Sequence, residues 1–259
     1  MRVAVVISTW SGNPARYLLS LCSSMAQHPP GVEHELFLSA NGTEYVVPRE
    51  IQPLFAKTFI RDNTGYNLGA WDYAWRHLPD YDRFLFLQDD CVVVKDDWLL
   101  RFIERFGSVP RCGLVGENLI RHWNRPWSEL SSPRAPMEKK VDHRVAAVHF
   151  YRETLSRWGI PEGATARHIT TVVQFTSRSI LEEVNGYNPG QTKGQAIAAE
   201  IGFSRKIESK GYTLAQLGRR SHSVIAHRQW PSSGFLTRLK RSIRKRFGEG
   251  LGIREGEWW

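Results

Sequence analysis

Asp89 and Asp90 stand side by side where an apolar run, Phe84-Leu85-Phe86-Leu87-Gln88, gives out. Adjacent carboxylates at a strand end repel each other and are costly to take out of water. A hard divalent cation offsets that cost and can bridge a diphosphate at the same time. The plain alternative is an acidic turn between two strands, since Cys91-Val92-Val93-Val94 is apolar again. A second polar stretch reads Asn63-Thr64-Gly65-Tyr66-Asn67-Leu68-Gly69. Glycines ahead of a helix let backbone approach a ligand, and a helix N-terminus favours an anion. The spacing is not that of a dinucleotide fingerprint, and an ordinary glycine turn is the alternative. Glu200 lies among Ala198-Ala199 and Ile201-Gly202. Small apolar neighbours raise a carboxyl pKa and suit a general base; the alternative is a solvated helix glutamate. His222 and His227 flank the last apolar stretch, and their separation on a strand-like segment argues against a zinc site of their own.

These groups need elements to position them. Apolar runs predict strands over residues 2–8, 35–39, 58–61, 83–88, 113–116, 170–176, 212–217 and 221–226. Ala15, Leu18, Leu19, Cys22 and Met25 recur at helical spacing, with Asn13-Pro14 as N-cap and first residue and Pro29-Pro30-Gly31 as the stop. Further helices are predicted over 67–78, after Asp96 as a cap, over 179–184 and over 195–210. Residues 121–140, with three prolines and two tryptophans and no periodicity, read as a long surface loop able to act as a lid. Strands alternating with helices predict a parallel α/β sheet, whose ligands bind beyond the carboxyl ends of the strands. Ser8-Thr9-Trp10, Asn41-Gly42 and Asp89-Asp90 all fall there.

Composition bounds the function. The 259 residues carry 35 Lys and Arg against 26 Asp and Glu, a net charge of +9, with 41% hydrophobic and 24% charged residues. That suffices for one large domain or two small ones and excludes overall disorder. No run reaches the ~18 apolar residues of a bilayer span, and the apolar residues after Met1-Arg2 are too few for a secretory signal. Three scattered cysteines, Cys22, Cys91 and Cys112, predict a reducing, cytoplasmic setting without a disulfide framework. Six cations and no acid lie between Gly234 and Phe247. Phe235, Leu239, Ile243 and Phe247 recur there about every four residues. This predicts a basic amphipathic helix on an anionic membrane surface, against the alternative of a solvated tail. The chain accordingly divides into residues 1–233 and a tail, 234–259. The acidic strand end at the ligand edge argues against a nucleic-acid partner.

In order and spacing, the pieces resemble the family 2 glycosyltransferases of the GT-A fold. The resemblance covers about residues 3–227: a first strand ending in Ser8-Thr9, Asn41-Gly42, Asn63-x-Gly65, Gln88-Asp89-Asp90 and Gly186-Tyr187-Asn188. An acidic helix start at Glu200, ahead of Gly211-Tyr212, completes the order. The run from Gly65 to Trp71 looks most like bacterial polysaccharide and lipopolysaccharide members. The resemblance implies an α/β architecture, a single GT-A-type (Rossmann-like) domain with a mixed, mainly parallel central sheet, here followed by the basic helical tail. It implies metal-assisted, inverting transfer of a sugar from a nucleotide-diphospho-sugar, UDP-linked, to a glycan or lipid-linked acceptor, in polysaccharide biosynthesis. Thr9 and Asn41 would then contact nucleobase and ribose, with Asn63, Gly65, Asn67 and Gln88 completing the donor site. Asp89 would hold the ribose or sugar, and Asp90, joined by His227, a Mg2+ or Mn2+ ion. Glu200 would be the base, and Trp123, Trp127, Gly186 and Tyr187 would face the acceptor; the basic tail, for its part, would set the chain at the inner face of the membrane.

Two departures matter. Gln88 stands where the family's metal motif has its first Asp, and a neutral amide is a poor ligand for Mg2+ or Mn2+. Ala199-Glu200 stands for the family's Glu-Asp pair, so the base is longer by one methylene. A nucleotide-sugar-binding protein with little or no catalysis therefore remains an alternative. A sugar nucleotidyltransferase is another, but it calls for a basic glycine-rich loop after the first strand, and Ser8-Thr9-Trp10-Ser11-Gly12 has no Lys or Arg.

Overall fold

A computed structural model describes residues 1–132 and 141–228. The basic segment 234–247, the boundary expected at 233 and part of the expected lid, 133–140, lie outside the described residues. The order begins β1 (Val3–Trp10), α1 (Arg16–Gln27), β2 (Glu35–Asn41), β3 (Phe55–Arg61), α2 (Tyr66–Arg76), β4 (Arg83–Gln88) and β5 (Cys91–Val93). It continues with α3 (Trp98–Ser108), β6 (Cys112–Gly116), α4 (Trp127–Leu130), α5 (Val141–Arg157) and β7 (Val173–Ser177). It ends with α6 (Arg178–Glu183), α7 (Lys193–Ser209), β8 (Thr213–Gln216) and β9 (Ile225–His227).

Seven strands form one sheet in the order β3-β2-β1-β4-β7-β6-β8. The pairings β3/β2, β2/β1, β1/β4 and β6/β8 are parallel; β7 runs antiparallel to both its neighbours. β1 and β4 are apolar on both faces because helices cover both. The period of two sorts their side chains. Val3, Val5, Ile7, Leu85 and Leu87 pack toward Leu18, Leu21, Trp98 and Phe102 of α1 and α3. Ala4, Val6, Phe84 and Phe86 pack toward Trp71, Ile180 and Phe203 of α2, α6 and α7. A third cluster joins Trp127 and Leu130 to Val148, Tyr151 and Leu155 of α5 and Ala198 and Ile201 of α7.

Several local expectations are corrected. α1 starts at Arg16 rather than after Asn13-Pro14, because Asn13 spends its side chain on Trp10 and Asp89. α3 is preceded by Asp97 in a left-handed conformation without a side-chain cap; the Asp96 carboxylate sits 2.7 Å from His28 Nδ1 instead. The strand expected from residue 170 starts at Val173, and the last one is confined to Ile225–His227. The described part of the supposed lid folds into a turn and α4, with Trp127 and Leu130 buried. No helix among the described residues is long and apolar enough to cross a membrane.

Candidate functional site

From β1 the chain builds outward through β2 to β3, then returns to place β4 on the other side of β1. That reversal opens a crevice at the carboxyl ends of β1 and β4, the place where open α/β sheets bind ligands. β4 delivers Asp89 and Asp90 to this crevice, and β1 delivers Thr9 and, just beyond, Asn13.

The two carboxylates have different surroundings. Asp89 is 3% exposed. Its oxygens accept Thr9 Oγ1 at 2.6 Å and Asn13 Nδ2 at 2.8 and 3.0 Å, and its amide donates to Ser8 O at 3.0 Å. Burial lifts its pKa to about 6, against the opposing pull of the Thr9 and Asn13 hydrogen bonds. It ties the ends of β1 and β4 together through Thr9 and Asn13. Asp90 Oδ1 lies 2.9 Å from His227 Nε2. β5 and β9 make this meeting: their antiparallel ladder sets Cys91 opposite His227. Upstream, the buried Glu117 carboxylate accepts the amides of Ser223, Val224 and Ile225 at 2.7–3.0 Å. Burial raises its pKa, with those amides opposing. His222 is buried too, 6.3 Å ring to ring from His227, and its pKa falls to about 4 through burial and then the neighbouring ring.

Asp90 and His227 offer one oxygen and one imidazole nitrogen, and no group of three or more His, Cys, Asp or Glu among the described residues is placed to hold a metal ion by itself. The pair fits an ion that brings its remaining ligands with it, diphosphate oxygens and water. An imidazole in the set suits Mn2+ better than the oxygen-seeking Mg2+.

A second group gathers on Thr171, just before β7. Gln88 Nε2 and Asn67 Nδ2 both donate to Thr171 O, at 2.7 and 2.6 Å. The Thr171 amide and hydroxyl both donate to Glu200 Oε2 at 2.6 Å. Glu200 Oε1 lies 3.1 Å from His168 Nε2. Burial alone would raise the Glu200 pKa, but hydrogen bonds from His168 and Thr171 and the charge of His168 hold it below the ordinary 4.5. The raised value expected from its apolar neighbours is thereby corrected. Those neighbours, Ala199 and Ile201, point into the core, while Glu200 turns to polar partners.

The other expected residues divide. Asn41 is buried, donating to Tyr66 O at 2.8 Å and accepting from Arg61, so both its ends are spent within the fold. Asn63 is exposed. Gly65 adopts φ +74°, and a Cβ there would sit 2.6 Å from the Pro189 Cβ, so packing alone already calls for glycine at this position. Trp123 is half-buried, edge-on to His168 at 5.9 Å and beside Tyr151, next to Glu200's partner. Trp127 is in the core, its indole donating to Glu162 O. Tyr187 is likewise buried, packed on Phe203 at 4.0 Å with its hydroxyl donating to Gln174. Gly186, at φ +57°, lies against Asp72 Oδ1, where a Cβ would come to 2.3 Å. Trp127, Gly186 and Tyr187 therefore serve packing rather than an acceptor surface. Sequence reasoning missed Asn13, assigned to a cap; Thr171 and His168, which precede a strand and carry no periodic signal; and Glu117, which no motif marks.

Two surface grooves lie away from the crevice. One, of about 640 Å³, is lined by Lys95, Arg105 and Arg219 among others, past the end of the β5–β9 ladder opposite Asp90. The other, of about 870 Å³, lies at the amino end of β1. The site is assigned by its chemistry and by the strand order, and neither groove is lined by Asp89 or Asp90.

No protein-family model matches the chain, and no curated protein matches it in sequence. Among solved structures, the mannosyltransferase PcManGT from Pyrobaculum calidifontis, in complex with GDP-Man and Mn2+, superposes with a TM-score of 0.50 at 16% identity. The match covers 83% of this chain and 54% of that one, so the chain spans about half the length of that structure. TarS from S. aureus superposes at 0.44 with 10% identity over 79% of this chain and 56% of its own. A Drosophila galactosyltransferase 7 variant, in complex with manganese, UDP-Gal and xylobiose, superposes at 0.42 with 9% identity over 92% and 74%. A mixed, mainly parallel seven-stranded sheet that superposes on the Pyrobaculum structure gives this chain the α/β architecture of the GT-A glycosyltransferases.

Proposed function

We propose that the chain transfers a sugar from a nucleotide-diphospho-sugar, UDP-linked, to a glycan or lipid-linked acceptor hydroxyl, with inversion and with a divalent cation held by Asp90 and His227. The observation that carries this reading is the 2.9 Å approach of those two side chains at the β1–β4 crevice. The Mn2+ and GDP-Man of the Pyrobaculum complex are of the donor and metal class proposed here. When bound, the ion would stabilise the charge that develops on the departing diphosphate. Asp89, held by Thr9 and Asn13, fixes the floor of the crevice on which Asp90 is displayed. Gln88 and Asn67 lock Thr171, and Thr171 in turn locks Glu200. Glu200 would accept the acceptor hydroxyl's proton as that oxygen attacks the anomeric carbon. Trp123 borders this position and is the aromatic side chain placed to contact an acceptor.

One observation favours a second reading. Glu200 accepts three hydrogen bonds and its pKa is held low, which weakens it as a base and suits a protein that binds nucleotide-sugars with little turnover. Incubation with a panel of UDP- and GDP-sugars and Mn2+, reading nucleoside diphosphate release with and without glycan acceptors, separates the two. Acceptor-dependent release supports transfer. Binding without release leaves the second reading, and neither binding nor release overturns both.

A further inference from the structure

We propose that His168 is the positioning residue for Glu200: its imidazole orients Glu200 Oε1, shares a proton with it, and leaves one lone pair of the carboxylate for the acceptor hydroxyl. The inference rests on the transfer reading above and deepens it.

The segment carrying His168 is held from both sides. Its carbonyl accepts Ile120 N–H at 3.1 Å, and Thr170 N–H donates to Asn118 O at 3.1 Å. From α7, one turn apart, Ser204 Oγ accepts Ile169 N–H at 3.1 Å and Glu200 Oε2 accepts Thr171 N–H at 2.6 Å. His168 is 2% exposed, so its ring has fixed partners. Nδ1 lies 2.7 Å from Ala166 O. A carbonyl oxygen only accepts, so Nδ1 carries a hydrogen and the other nitrogen must meet Glu200.

At Glu200 the count closes. A carboxylate has about four acceptor positions. The Thr171 amide and hydroxyl fill those of Oε2. Nε2 faces Oε1 at 3.1 Å, and with Nδ1–H already committed, a hydrogen bond there requires a second proton held between ring and carboxylate. One acceptor position remains, on Oε1. The groups around the pair are Thr171 ahead of β7, Tyr151 of α5, Ser204 of α7 and the Trp123 ring, which meets His168 edge-on at 5.9 Å. Tyr151 is the titratable group among these neighbours, and its pKa is raised by burial and then by the Glu200 charge. The proton-sharing partner of Glu200 is therefore His168.

The test uses His168→Gln, which keeps a donor near Nε2 without a charge, and His168→Phe, which keeps the ring and removes both nitrogens. The carboxyl carbon of Glu200, followed by NMR through a pH titration, reports the pair without any substrate. An opposite charge at this distance lowers a carboxyl pKa by about one to three pH units. The Glu200 titration is expected to move up by about one unit or more in His168→Phe and by less in His168→Gln. In transfer assays the acid limb of kcat/KM moves up in the same order, while the KM for the nucleotide-sugar stays within about twofold. A Glu200 titration unchanged in whichever variant folds overturns the proposal, and His168→Gln alone decides it if His168→Phe does not fold. A shifted titration in a protein that turns over no nucleotide-sugar leaves the shared proton standing and overturns the transfer reading instead.

Discussion

Gln88 spends its amide on the Thr171 carbonyl, while Asp90, two residues on, reaches His227. Restoring the family's acid at position 88 therefore has a definite consequence. Gln88→Asp sets a carboxylate against the Thr171 carbonyl and removes a half-buried donor, leaving Asn67 as that carbonyl's partner. It is expected to lower stability by about 1–3 kcal/mol in urea unfolding and to leave Mn2+ affinity no tighter in calorimetry. Tighter Mn2+ binding would place residue 88 at the metal. Glu200→Gln is expected to keep donor affinity while transfer falls about 10²–10⁴-fold in initial-rate assays. Its pH behaviour follows from the direction of the shift. A carboxyl held below 4.5 in the folded state contributes stability above that value and loses it as the pH falls through the folded value. The stability difference between wild type and Glu200→Gln should thus shrink as the pH falls below about 4.5. At this scale the sequence shows residue types and their order but not their partners. Asp89-Asp90 is legible as a strand-end acid pair, yet nothing in it says that Asp89 is consumed by Thr9 and Asn13 while Asp90 faces His227. That pairing depends on contacts between residues 76 and 137 positions apart.

β5 and β9 are three residues each, yet they decide where His227 sits. The Glu117 carboxylate at the end of β6 fastens the approach to β9 through three backbone amides. Glu117→Ala leaves those buried donors unsatisfied at a cost of about 1–3 kcal/mol each. The variant is expected to lose about 3 kcal/mol or more of stability in urea unfolding. It is also expected to bind Mn2+ and nucleotide about tenfold more weakly, although Glu117 forms none of the proposed ligand contacts. Unchanged Mn2+ binding in a folded variant would mean that His227 does not depend on this fastening. The buried strands and their helices are legible because period two and period 3.6 are local signals. α5 is not, although Val148, Tyr151 and Leu155 carry helical spacing. They follow an irregular, proline-rich stretch and are interspersed with His149, Arg152 and Glu153, which mask the apolar stripe. Glycines at 65 and 186 are visible as turn signals, but their tertiary reasons, the closeness of Pro189 and Asp72, are not local.

On the scale of the whole molecule, the charge is concentrated in one place. Six of the nine net positive charges lie between Gly234 and Phe247, beyond the described residues, and the proposal that this segment docks on an anionic membrane rests on its spacing alone. Each cation near an anionic surface contributes about 1 kcal/mol. The full chain is expected to co-sediment with anionic liposomes and not with neutral ones, and a chain ending at Ser233 with neither. Equal recovery of both chains would remove the membrane role. The three-layer architecture itself is readable from alternating strands and helices, whereas the antiparallel placement of β7 between β4 and β6 is not, because strand order is set by long-range packing. That order creates the crevice, and the crevice is where the central claim is tested: that Asp90 and His227 hold a divalent ion against a nucleoside diphosphate. Titration calorimetry of UDP and GDP, with and without Mn2+, on wild type and Asp90→Ala measures it most directly. The account predicts Mn2+-dependent binding of at least one of the two nucleotides by wild type, lost or weakened by about 1.4 kcal/mol or more, tenfold, in Asp90→Ala. Nucleotide binding that is indifferent to both Mn2+ and Asp90, or no binding at all, would contradict it.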